Sequence, residues 1–291
     1  MMTARLVLLF VLFSIATFAQ NNEPFYLNEF YQVGDSLLVG NEGPLRSTPN
    51  RSGKVIKKLA VGDKLYFIGL GDREAEKRET IFGLDGAFIP VHCVIDGEFV
   101  MGYVWDGLIA RTYSYDKTGN GFLYSFESYD VSSSVLAMKL SRKDAKSNAV
   151  YNQTIRDTIN FDRSKVSKIL PAMGLSQVDA IFRVGLLGEA CGVSTNYHYY
   201  AWNGSSFIAL PSKSSVGDAG VYSYSENLLF PSEHKYGKDL IVVESSEYES
   251  EYYLIEGIPD VEFVDDVEKK TIVVYKWTGK KYIKLNRVEE Y

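Results

Sequence analysis

The sequence predicts a mainly all-β protein: a small leading β module, then a larger antiparallel β-rich region carrying one short helix. Three observations predict it. The 291 residues include 21 Tyr and 16 Phe, and aromatic and β-branched enrichment favours strands. The apolar runs are short and bounded by Gly, Asn, Asp and Ser, which are turn residues. A hairpin-like pattern at residues 200–210 also recurs at 275–285.

Residues 1–19 read as a secretory signal peptide. Arg5 makes the positive start, residues 6–13 are almost wholly apolar, and Thr17-Phe18-Ala19 offers small residues before a cleavage point. An uncleaved anchor is the alternative, but spanning takes ~20 apolar residues. The protein is therefore expected in the periplasm or outside the cell, with no membrane insertion after cleavage. The formal net charge is −6, which argues against nucleic acid as a partner. An apolar content of 46% suits a globular core, and the length after the leader suits one or two domains. The layout read from the chain is residues 1–19 leader, 20–110 leading module and 111–291 second region.

Residues 45–68, LRSTPNRSGKVIKKLAVGDKLYFI, are the most specific stretch. Pro49 lacks a donor, so the chain leaves its ladder there. Asn50, Ser52 and Gly53 are turn residues. Val55, Ile56 and Leu59 alternate with lysines at 54, 57 and 58, which reads as a half-buried strand. Residues 61–64 make a tight turn with Gly62 free to take positive φ, and 65–68 read as a central strand. This order of strands and turns resembles the bacterial SH3 (SH3b) family. The second half of that pattern is carried by Phe88 to Val94, the turn 95–98, and Gly102-Tyr103-Val104-Trp105. The resemblance covers residues 36–110, with a charged insertion, 71–80, expected in a surface loop. It implies an SH3-like small barrel. Its implied partner is a cell-wall polymer or an envelope protein.

Residues 111–121 form the junction. Asp116, Thr118 and Asn120 fall on alternating positions, but no closing carboxylate follows, so a plain turn is expected and no metal site. Strands are expected at 122–128, 134–140, 181–187, 197–202, 221–225, 240–243, 252–255 and 271–277. A helix is expected at 162–173: Asp162 caps it, Val166, Ile169 and Leu170 share a face, and Pro171 lies near its end.

The internal echo is Tyr200-Ala-Trp202-Asn-Gly204 against Tyr275-Lys-Trp277-Thr-Gly279. The spacing predicts two-residue turns at Asn203-Gly204 and Thr278-Gly279. Tyr200 would then lie opposite Phe207, and Tyr275 opposite Tyr282. The pair resembles closing hairpins of propeller-like repeat modules of secreted bacterial proteins, although repeat architectures need at least ~3 units. Tyr103, Trp105, Trp202 and Trp277 are the candidate binding residues, because exposed rings stack on sugars. Packing into a core is the plainer expectation for large aromatics.

Catalytic signals are weak. His92, His198 and His234 fit no metal spacing. His92 and Cys93 are adjacent and point to opposite faces of a strand. The cell-wall cysteine peptidases that often accompany SH3b barrels set their nucleophile after an Asp at a helix start, whereas Ala190-Cys191-Gly192 lies between strand runs. Cys93 and Cys191 are either a disulfide joining the two regions or two free thiols. The acidic tracts 244–251 and 260–268 could pair carboxylates for sugar hydrolysis. Charged edge loops explain them more simply. No cofactor is indicated. Two functions follow: an exported non-catalytic binding protein, or a cell-wall or polysaccharide hydrolase with its site in 122–291.

Overall fold

The computed structural model describes residues 23–27, 29–69, 77–95, 97–157, 164–188, 190–218, 222–253 and 262–290. The leader expected at residues 1–19 lies outside them. The described chain is almost entirely strand, in three sheets that follow one another in sequence.

The leading sheet contains β1 (Phe25–Tyr26), β2 (Ser36–Leu38), β3 (Gly43–Arg46), β4 (Val55–Leu59), β5 (Lys64–Phe67), β6 (Arg78–Ile81), β7 (Leu84–Ile95) and β8 (Glu98–Trp105). Its order is β2-β5-β7-β8-β3-β4, with β1 and β6 pairing the first part of β7. The expected turn at 61–64 is present. Gly62 has φ +81, and the Asp63 carboxylate accepts from the Ala60 N–H. The Lys143 side chain of the next sheet lies against it, 2.7 Å from where a Cβ would sit. The expected surface loop 71–80 is corrected at its end, because Arg78–Ile81 is strand. The Arg78 guanidinium ties it to Asp85 at 3.1 Å and to the Leu27 carbonyl. The loop's earlier residues lie outside those described.

A single 3-10 turn, Asp106–Leu108, leads into the second sheet, and a bridge from Val39 to Ile109 spans the two. This sheet runs β9 (Ala110–Tyr115), β10 (Gly121–Asp130), β11 (Val135–Lys143) and β12 (Val150–Asp157), in the order β12-β11-β10-β9. In β10 and β11 the residues 122, 124, 126, 136, 138 and 140 fall on one face and are all buried, while Leu123 on the other face of β10 packs with Leu38 and Val61 of the leading region, so β10 is covered on both sides. The Asp116 carboxylate accepts from the Thr118 and Asn120 backbone and side chains, so the loop before β10 is a self-capped turn.

The third sheet holds β13 (Ser164–Leu170), β14 (Ala180–Leu187), β15 (Thr195–Trp202), β16 (Phe207–Ala209), β17 (Lys213–Asp218), β18 (Tyr222–Leu229), β19 (Leu240–Tyr253), β20 (Glu262–Trp277) and β21 (Tyr282–Glu290). Consecutive strands pair antiparallel from β13 to β15 and from β17 to β21, and β16 pairs with β15. One continuous apolar cluster joins all three sheets, from Leu27 to Phe207. A second is built within the third sheet, where Ile181, Tyr199 and Ala201 meet Leu228, Ile241, Val243 and Trp277.

Three expectations fail here. The helix expected at 162–173 is strand β13, paired with β14 from Ser164↔Leu187 to Leu170↔Ile181. Residues 162 and 163 lie outside the described chain. The face that β13 turns inward is Lys165, Ser167 and Ile169. The Thr112 hydroxyl donates to Ser167 Oγ at 2.9 Å, so polar partners on β9, rather than apolar periodicity, decide the conformation. The hairpin register is also corrected. Trp202 lies opposite Phe207 and Trp277 opposite Tyr282, which places Tyr200 opposite Ala209 and Tyr275 opposite Lys284. The Asn203 N–H donates to the Ser206 carbonyl and the Thr278 N–H to that of Lys281. The turn centres are therefore Gly204-Ser205 and Gly279-Lys280. With φ near +85 to +89 the glycines take the first central position, where a type II′ turn wants them. Finally, the acidic tracts are not edge loops. Residues 244–251 belong to β19, and 262–268 to β20, paired strand to strand.

Candidate binding surface

The leading sheet carries a row of exposed aromatic and apolar side chains. Its base is the β7–β8 hairpin. Ile89, Val91 and Cys93 of β7 point into the core. Phe88, Pro90, His92 and Val94 therefore point out, and their partners across the ladder are Trp105, Tyr103, Met101 and Phe99. On β5, Leu65 is buried, so Lys64 and Tyr66 share the outer face, with Tyr66 paired to His92.

The two ends of this row differ. At one end Phe88 and Trp105 are covered by β6, and Trp105 Nε1 donates to the Glu79 carbonyl at 3.3 Å. The indole lies against Gly86, where a Cβ would come within 2.7 Å of Nε1. Glu79 is in turn held by Arg51 at 2.7 Å. At the other end nothing described covers the face: Phe99 and Val94 are each 64% exposed and Met101 is 54% exposed. There the rings form a run. Lys64 Nζ lies 5.0 Å from the Tyr66 ring centre. Tyr66 stacks on His92 at 5.1 Å and 16°, and His92 stacks on Phe99 at 5.0 Å and 28°. The Tyr66 side chain raises the Lys64 pKa above its ordinary value, keeping the ammonium charged. Tyr113 and Tyr115 of β9, in edge contact at 6.0 Å, add further rings close enough to act on Lys64. The result is a partly apolar ridge with one cation at its end. Such a surface can hold the C–H faces of sugars or apolar side chains, with a cation–π or ionic contact beside them.

Of the residues singled out from sequence, Tyr103 and Trp105 sit on this same outer face, Tyr103 half-buried and Trp105 buried under β6. Trp202 is buried between the second and third sheets, 4.9 Å from the Phe207 ring, with the Arg142 guanidinium 5.2 Å away. Trp277 is buried in the second core, and its Nε1 donates to the Ser176 carbonyl at 2.8 Å. Cys93 is buried and Cys191 exposed, and both are free thiols in this fold. Burial raises the Cys93 pKa, which suits an inert core thiol. His198 is pushed down by burial, and its Nε2 has no hydrogen-bond partner. His234 donates to or accepts from its own loop, at Leu240 O and the Tyr236 N–H. No group of three or more His, Cys, Asp or Glu that could hold a metal occurs among the described residues.

Tyr66, His92, Phe99 and Met101 were missed as surface residues by sequence reasoning. The signal that finds them is the alternation of residues 91–94 and 99–104 about the turn at Gly97, read for its outer rather than its inner face.

A second constellation lies at the junction of the three sheets. The Arg111 guanidinium donates to the Asp106 carboxylate and carbonyl. Tyr31 donates to the same carboxylate at 2.9 Å. Glu29 lies 3.6 Å from Arg111 and accepts from Lys165. The Phe126 ring faces the guanidinium at 4.7 Å. Burial pushes the Tyr31 pKa well up, and the carboxylates around Arg111 keep it charged. The network is buried and satisfied within itself except at Arg111 Nε, which has no hydrogen-bond partner. No family model, no curated protein and no solved structure matches this chain.

Proposed function

We propose that this is an exported, non-catalytic binding protein, whose leading SH3b-like module holds a cell-wall polymer or an envelope protein through the outer face of β7 and β8. One observation carries the reading: the uncovered row of Lys64, Tyr66, His92 and Phe99, with Val94 and Met101 beside it. Exposed apolar patches of this kind mark interaction sites more often than chance exposure. The β7–β8 alternation turns the row away from the core, so these side chains do not serve the inner packing of the sheet. The test is co-sedimentation of the purified protein with isolated cell walls and retention on immobilised envelope protein. The double variant Tyr66→Ala, Phe99→Ala should lose at least about tenfold in retention, the size of a hot-spot loss above ~1.4 kcal/mol. Wild-type protein that neither sediments nor is retained, or a variant that binds as well as wild type, rejects the proposal. Release of soluble wall fragments during the same incubation would favour a hydrolase instead.

A further inference from the structure

We propose that β12 pairs antiparallel with the β12 of a second copy, so that two second sheets continue into one across a two-fold axis at Gln153. Among the described residues β12 pairs only with β11, without a register shift from Leu136↔Asp157 to Lys143↔Val150. The opposite edge of the same sheet is covered, because Ser167 of β13 bonds the Thr112 and Ser114 hydroxyls of β9. β12 lacks the usual protections of a bare edge. It is eight residues long, VYNQTIRD, with no proline, lysine or bulge.

The turn before β12 fixes which backbone groups face outward. Asp144 donates its N–H to the Ala149 carbonyl, and its own carbonyl accepts from the Asn148 N–H. The next pair, Lys143 and Val150, is therefore not hydrogen-bonded, and bonding alternates from there. The N–H and C=O groups of Val150, Asn152, Thr154 and Arg156 point away from β11. The far side of the sheet gives the same phase. Asp116 and Asn120 close the β9–β10 turn, so Gly121 faces Lys143 of β11 and takes that residue's backbone groups away from β12.

One antiparallel register joins all four outward residues. It sets Val150 against Arg156 and Asn152 against Thr154, each twice, because a two-fold contact repeats every pair. A slip of two residues leaves Val150 or Arg156 without a partner in the strand. A parallel copy brings Arg156 beside Arg156. The side chains fit the same register. Asn152 Oδ1 accepts from Ser141 Oγ at 2.7 Å, which leaves its amide N–H groups for the Thr154 hydroxyl of the second copy. Tyr151 meets Trp202 edge-on yet remains 40% exposed, and Ile155 of the second copy comes opposite it. This inference is independent of the surface on β7 and β8.

Analytical ultracentrifugation of the purified protein tests it. The wild type is expected to sediment as a concentration-dependent dimer. Thr154→Pro removes an outward N–H that the β11 ladder does not use, which an edge strand tolerates. It should raise the dimer dissociation constant at least about tenfold, with a melting temperature close to wild type. Two substitutions at the exposed Val150 test the register. Val150→Glu places a carboxylate opposite Arg156 on both sides of the axis and should lower the dissociation constant about threefold. Val150→Lys sets like charges there and should raise it by as much. This pair reads the register even if Thr154→Pro fails to fold. A wild type that stays monomeric across the micromolar range overturns the proposal. So do a dimer indifferent to a folded Thr154→Pro variant, and Val150 substitutions that leave the constant unchanged or move it in one direction.

Discussion

The β7–β8 hairpin and the two Trp-x-Gly hairpins are built on the same plan, yet their aromatic faces meet different fates. In both regions rings recur on one face at a period of two. In the third sheet those faces are covered: Trp202 by the second sheet, and Trp277 by Ser176 and its surrounding loop. In the leading sheet β6 covers only Phe88 and Trp105, and the row continues into solvent from His92 to Phe99. The alternation sets which face is aromatic. Whether that face becomes core or contact surface depends on the next element along the chain, which the alternation does not encode.

The comparison breaks first at its buried end. Trp277→Ala removes a ring that is 1% exposed and leaves the Ser176 carbonyl unpaired, at a cost of about 3–5 kcal/mol. Tyr66→Ala with Phe99→Ala should cost less than about 1 kcal/mol, because surface substitutions away from caps and networks move stability little. Denaturant unfolding of both variants checks this. Equal losses would mean that the leading row is core after all.

The next largest effect lies at the junction. Asp106→Ala strands the Arg111 guanidinium, whose side chain is 1% exposed, and should destabilise by about 3–5 kcal/mol. The double variant Arg111→Met, Asp106→Leu removes both charges and should recover a large part of that loss. A double variant as unstable as Asp106→Ala would show that the pair contributes through its shape and hydrogen bonds rather than through stranded charge.

The smallest effect sharpens the contrast between turns and cores. Asp144 accepts from the Lys146 and Ser147 N–H groups and the Ser147 hydroxyl, which holds its pKa down to about 2. A carboxylate depressed in the folded state stabilises above its unfolded pKa, near 3.9, and loses that contribution as pH falls through the folded value. Asp144→Ala should therefore melt below wild type at neutral pH. The gap should close as the pH falls to about 2. A gap constant with pH would mean that the turn is held by its backbone alone.

The fold class was legible because turns and short apolar runs are local. Gly62-Asp63 and the strands around 181–187, 197–202 and 271–277 come from neighbours in sequence. The misreadings share a cause in distant partners. Val166, Ile169 and Leu170 carry a helical spacing, but Lys165 and Ser167 find Glu29, Thr112 and Ser114, and a strand satisfies those contacts. Both glycine turns lie one residue later than expected because the side chains before them accept from N–H groups across the turn, Asn203 from Ser205 and Ser206 and Thr278 from Lys281, which sets Asn203 and Thr278 just before the turn rather than inside it. The acidic tracts looked like loops because charge was weighed above pairing. Their partners, such as Lys269 opposite Glu247 and Lys270 opposite Ser246, come more than twenty residues later. Tyr103 and Trp105, singled out from the sequence, lie on the outer face of β8, where Trp105 is buried, whereas Tyr66 and Phe99 come together only because β5 and β8 flank β7.

The Lys165–Glu29 contact spans 136 positions of the chain, and that distance has a kinetic meaning. Glu29 and Tyr31 come early, yet their cationic partners belong to the second and third sheets. A nascent chain stopped before residue 165 would leave this carboxylate without its ammonium, so the knot is tied late in assembly. Such non-local closure slows folding, and it leaves the start of the described chain, whose β1 can pair early with β7, half-tied until the third sheet arrives.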